Sequence, residues 1–134
     1  MAGTFKFELV SPERILLSVD AEQVELPGAD GDFTVLVGHA PVISTLRPGT
    51  ILTRTKDGKK AIFVKSGFVE VRPESVVVLA EQAFITDEVD PRHIEAELKA
   101  TEAALAGAND DEARRHLGMA IDQMKQIAAS RARG

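Results

Sequence analysis

Apolar and polar residues alternate with period two through the first two thirds of the chain and with helical spacing through the last third. Phe5, Phe7 and Leu9 alternate with Lys6 and Glu8, which predicts a strand with one buried face. Ser11-Pro12-Glu13 turns the chain into Ile15–Val19, and Val24 and Leu26 alternate with Gln23 and Glu25 in a third strand. The stretch from Leu26 to Gly49 is the most heavily punctuated part of the sequence. Leu26-Pro27-Gly28 closes a strand, Phe33–Leu36 is a short β-prone run, Gly38-His39-Ala40-Pro41 breaks it, and a last apolar segment stops at Arg47-Pro48-Gly49. Proline cannot donate to a ladder and glycine tolerates positive φ, so these pairs mark corners.

Beyond Gly49 the pattern predicts strands at Ile51–Thr55, Ala61–Val64, Gly67–Arg72 and Val76–Ala80. Lys56-Asp57-Gly58-Lys59 predicts a hairpin with a primed turn, and Pro73-Glu74-Ser75 a second tight connection. About nine short strands at such spacing predict an antiparallel β-sandwich or flattened barrel over residues 1–86.

From Asp87 the period changes. Asp90-Pro91 is a helix start, with a capping carboxylate followed by proline at the first helical position. Ile94, Leu98, Thr101 and Leu105 form one stripe, Ala106–Asp110 stops the helix, and Leu117, Ala120, Ile121, Met124 and Ile127 form a second stripe. The prediction is an antiparallel two-helix hairpin over 87–134, giving an α+β chain of two parts. Neither stripe is broad enough for its own core, so the hairpin must lie on the sandwich or on another protein.

Composition narrows the function. The chain has 134 residues, 44% of them hydrophobic, which suits one modest core. A formal net charge of −5 argues against a nucleic-acid partner. Without cysteine there are no disulfides, thiolate metal sites or thiol nucleophiles. No apolar run approaches the ~20 residues of a membrane span, and no signal peptide is evident, so any membrane association is expected to run through a partner.

Candidate chemistry is sparse. His39, His93 and His116 lack metal-pair spacing, and neither a nucleophile elbow nor a phosphate-binding glycine loop is present. Asp30 and Asp32 flank Gly31 and read as turn acids, because the ligand series of a calcium loop stops there. No catalytic residue, metal or cofactor is expected. From Asp111 to the end, five basic residues (Arg114, Arg115, Lys125, Arg131, Arg133) stand against three acids, which suits either a solvated helix face or an acidic docking partner.

The central stretch L-P-G-x-x-G-x-F-x-V-L-x-x-H-A-P-x-I-x-x-L-x-P-G resembles the signature of the epsilon subunits of F-type ATP synthases, called delta in mitochondria. Phe7-Glu8-Leu9-Val10-Ser11-Pro12, Ser66-Gly67-Phe68-Val69-Glu70-Val71 and the closing helical pair agree, so the resemblance spans essentially the whole chain. It implies a non-catalytic central-stalk subunit of a proton-translocating synthase, peripheral on the cytoplasmic face of the bacterial inner membrane. Its sandwich would bind the gamma subunit and the c-ring, and its hairpin, when extended, would inhibit ATP hydrolysis at the catalytic alpha/beta subunits.

By the same resemblance Asp32 and His39 fall on the rotor and c-ring side, and Arg114, Arg115 and Lys125 would meet the catalytic beta subunit. The ATP-binding pattern of some relatives is degenerate here. Asp90 and Arg92 are present, but His93 stands at the arginine position, Ile94 at the alanine, and Met119 and Gln123 where arginines of the second helix would be. Weak or absent nucleotide binding is expected. The alternative is a free-standing adaptor that binds a soluble partner through the hairpin.

Overall fold

The computed structural model describes residues 3–133, with side chains through Arg131; the cation Arg133 counted above lies outside that side-chain range. Eight strands precede two helices: β1 (Phe5–Val10), β2 (Ile15–Ala21), β3 (Gln23–Gly28), β4 (Gly31–Val35), β5 (Val42–Leu46), β6 (Gly49–Thr55), β7 (Gly58–Val71), β8 (Ser75–Ile85), α1 (Pro91–Ala106) and α2 (Asp111–Arg133). One layer runs β2-β1-β8-β7-β5, and the other is built from β4, β3 and β6 against the first half of β7. Every pairing is antiparallel except β1 with β8, which is parallel, so the first and last strands lie side by side.

Two expected strands, Ala61–Val64 and Gly67–Arg72, are one. The register of β7 against β8 slips at Lys65 and Ser66, and this bulge reverses which side chains face inward. Ile62 and Val64 are buried before it, Val69 and Val71 after it. The bulge lets β7 serve both layers, pairing β6 through its first half and β5 through its second. Gly67 follows it directly. A Cβ there would stand 2.4 Å from the Leu79 carbonyl oxygen, so only glycine fits.

The β6–β7 hairpin also departs from expectation. Thr55 pairs with Gly58, Lys56 and Asp57 keep negative φ, and only Gly58 is positive, at 126°. A primed turn needs positive φ at its central residues. Here the glycine after the turn takes the strain, as in a turn followed by a bulge.

Between the layers lies the core: Phe7 and Leu9 from β1, Val24 and Leu26 from β3, Ile51, Ile62 and Val64, and Val76 and Val78 from β8. The hairpin lies on the outside of the sandwich. Phe63, on the outer side of β7, is covered by Ala120 and Met124 of α2, with Phe84, Leu98 and Ile127 around them. Asp90 caps α1 by accepting from the Arg92 amide at 2.9 Å, with Pro91 in the first turn. Asp110 accepts from the Glu112 amide at 3.2 Å at the start of α2. Thr101 is buried in the α1 stripe, where its hydroxyl donates to the Glu97 carbonyl at 2.7 Å.

Candidate functional site

The outer face of the β2-β1-β8-β7-β5 layer is unusually apolar. In the pairing register Ile15 lies beside Val10, Val10 beside Leu79, Leu79 beside Phe68 and Phe68 beside Thr45, forming one row across five strands. Ile15, Leu79 and Phe68 are 58%, 43% and 41% exposed. In the next row Val77 lies between Glu8 and Glu70, and Glu70 lies beside Ile43, which is 69% exposed. Leu36 and Val37, also exposed, follow β4 in a loop that the Gly38 amide ties to the Pro73 carbonyl at 3.3 Å. An unbroken apolar row from Ile15 through Val10 and Leu79 to Phe68, crossing four adjacent strands, marks a site of protein contact, whereas single exposed apolar residues do not.

Sequence reasoning passed over this face. Its signal was the unbroken apolar run Val76-Val77-Val78-Leu79-Ala80, because a strand with one face in water should alternate. The buried members Val76, Val78 and Ala80 explain only half of that run.

Asp32 and His39 sit at opposite ends of β4. Asp32 is at the β3–β4 turn, opposite Pro27, and its carboxylate pairs with Arg47, whose other guanidinium nitrogen donates to the Gly28 carbonyl at 2.6 Å. His39 lies beyond the other end of β4; its amide donates to Leu36 at 3.1 Å and its Nδ1 is 2.7 Å from the Ala40 carbonyl oxygen. The two residues therefore do not form one site. His39 belongs with the apolar loop of Leu36 and Val37, and Asp32 with the opposite edge of the sandwich.

On the hairpin, Arg114, Arg115 and Lys125 are exposed. Arg114 and Lys125 are eleven residues apart, about three turns, and share nearly one azimuth, with Arg115 displaced by about 100°. Arg114 also donates to the Ala108 carbonyl at 3.3 Å. Asp90 and Arg92 serve the start of α1, as cap and as a 3.6 Å ion pair, and His93 meets the edge of Phe84 with ring centroids 6.0 Å apart.

Beside His93 a cleft of about 430 Å³ opens between the β1–β2 loop and α1, where Arg14 and Lys65 are outnumbered by Glu13, Glu81 and Glu97. That charge balance gives a triphosphate no net attraction. Among the described residues, no group of three or more His, Asp or Glu is placed to hold a metal ion, and no helix is long and apolar enough to cross a membrane.

Comparison with known proteins agrees with this architecture. Residues 4–86 match the family described as ATP synthase, Delta/Epsilon chain, beta-sandwich domain. The ATP synthase epsilon chain of Jannaschia sp. (strain CCS1) is 42% identical over 126 residues, covering 90% of this chain and 96% of that one. The ATP synthase epsilon chain of Rhizobium meliloti (strain 1021) is 41% identical over 112 residues, covering 83% and 84%. In fold, the chain is similar to one in the cryo-EM structure of the Euglena gracilis mitochondrial ATP synthase, OSCP/F1/c-ring, at a TM-score of 0.69 and 19% identity, covering 97% of this chain and 82% of that one. A family match over residues 4–86 and relatives above 40% identity over most of the chain lead to one assignment, which the sandwich with its docked hairpin fits: the chain belongs to the delta/epsilon chain family of ATP synthases.

Proposed function

We propose that the sandwich, residues 1–86, is the rotor-binding part of this subunit and that the hairpin, residues 87–134, is a regulatory element that restrains ATP hydrolysis when it leaves the sandwich. The observation that carries the first half is the apolar row Ile15, Leu79 and Phe68 with Ile43 beside it, exposed in the isolated chain. Burying such a row against the gamma subunit would remove apolar area from water over several strands at once, and rigid strands place it with little ordering cost. The Asp32 edge then faces the c-ring. The solved relatives come from an F1/c-ring assembly and a central stalk/c-ring assembly, which supports partners of this type. Its place is peripheral, on the cytoplasmic face of the inner membrane, reached through the complex.

Arg114, Arg115 and Lys125 are the cations that an extended hairpin would present to an acidic surface of the catalytic beta subunit. Attraction of this kind weakens with salt. With Asp90 capping α1 beside Arg92 and the adjacent cleft carrying three carboxylates against two cations, nucleotide binds weakly or not at all. Calorimetry showing micromolar ATP affinity at physiological salt would refute that.

The test of the whole reading is reconstitution. Catalytic complex depleted of this subunit is assayed for ATP hydrolysis with the full chain added back as wild type, Phe68→Glu or Arg114→Glu/Arg115→Glu. The first variant should fail to bind, with affinity lowered tenfold or more if Phe68 is a central anchor, on the order of 1.4 kcal/mol. The charge-reversed variant should bind normally and suppress hydrolysis less. Normal binding of Phe68→Glu would remove the sheet face from the rotor contact.

A further inference from the structure

The last described side chain of α2 reaches back across the molecule. Arg131 Nη2 donates to the Val89 carbonyl at 2.7 Å and Nη1 to the Asp87 carbonyl at 3.1 Å. These carbonyls belong to the connector between β8 and α1, the segment any hairpin movement must bend. The other side of the connector is tied to the sandwich: the Thr86 amide donates to Ala61 at 2.9 Å, and Glu88 pairs with Lys60 at 2.7 Å. Among the described residues Arg131 Nε is buried with no partner, and the two forked bonds are the ones the guanidinium makes.

We propose that Arg131 is a latch, its fork on the Asp87 and Val89 carbonyls tying the far end of α2 to the start of α1 and thereby setting how readily the hairpin leaves the sandwich. The latch itself is a property of the isolated chain; only its consequence for hydrolysis rests on the function proposed above. Beside the fork, the hairpin meets the sandwich through an apolar cluster whose buried members are Phe63, Ala120 and Met124, with Phe84, Leu98 and Ile127 around them, and through the edge of His93 on Phe84. Hydrogen bonds from a charged donor are about twice as strong as neutral ones, so two of them add substantially to that contact. The fork also closes a loop through both helices, so the end of α2 and the connector move as one while it holds. Lysine cannot replace it, because one ammonium lacks the planar pair of donors that spans two carbonyls.

The chain contains no cysteine, so a single introduced thiol reports opening without interference. Ala120→Cys places the thiol on the buried face of α2, and Ala80→Cys places one in the sandwich core as a reference for global unfolding. Maleimide labelling of the full chain at Ala120→Cys should quicken roughly ten- to a hundredfold when Arg131→Ala is added, with Arg131→Lys falling between. Labelling at Ala80→Cys should stay unchanged. Should the Ala120 thiol loosen the helix by itself, exchange of the Ile121 amide in chains without the thiol gives the same comparison. A change below about twofold at Ala120, or an equal rise at Ala80, would overturn the latch. Neither result bears on the stalk assignment, because no partner enters the measurement.

Discussion

Phe63 and Phe84 lie side by side across β7 and β8, with ring centroids 5.1 Å apart and planes tilted by 30°. Together they form an apolar floor on the outside of the sandwich, which Met124 and Ala120 of α2 cover. Truncating Phe63 removes most of that floor. Phe63→Ala should lose about 3–5 kcal/mol of contact, mainly from hairpin docking because the inner core is untouched. Hydrogen exchange would then show α1 and α2 opening below the denaturant concentration that unfolds the strands, whereas a single joint transition would place Phe63 in the main core.

Gly67 gives a prediction confined to the sheet. A methyl group there meets backbone, the Leu79 carbonyl oxygen at 2.4 Å and Ala80 Cα at 3.1 Å, and backbone cannot swing aside. Gly67→Ala should destabilise by about 1–3 kcal/mol through overpacking, read as a fall in thermal midpoint. Wild-type stability would mean that the bulge at Lys65 and Ser66 can shift.

Thr53 is 1% exposed, and among the described residues its hydroxyl has no hydrogen-bond partner. Thr53→Val keeps the shape and removes a polar group buried at a cost. A gain of about 1 kcal/mol in urea unfolding is expected, and a loss would reveal a partner for the hydroxyl.

Asp32 pairs with Arg47, but the carboxylate is 75% exposed, and Arg47 retains its bond to the Gly28 carbonyl without it. Asp32→Asn should therefore leave stability within about 1 kcal/mol of wild type. If Asp32 meets the c-ring, the same variant weakens assembly with isolated c-ring; unchanged assembly would take Asp32 out of that contact.

Period and punctuation made most of the fold legible. The period-two run of Phe5, Phe7 and Leu9 is β1, Asp90-Pro91 begins α1, and Ala106–Asp110 separates the helices, because capping and alternation are local physics written in adjacent residues. The bulge in β7 was not legible. Lys65-Ser66 carries no breaker, and only its pairing with both β5 and β6 makes the slip necessary.

Residue type therefore determined the sandwich, the hairpin and the family. Tertiary structure alone decided two further points: that the hairpin lies on Phe63 and Phe84, and that Arg131 grips the connector at Asp87 and Val89. Each depends on residues brought together across turns and layers, and a contact between residues more than forty positions apart leaves no periodic trace in the chain.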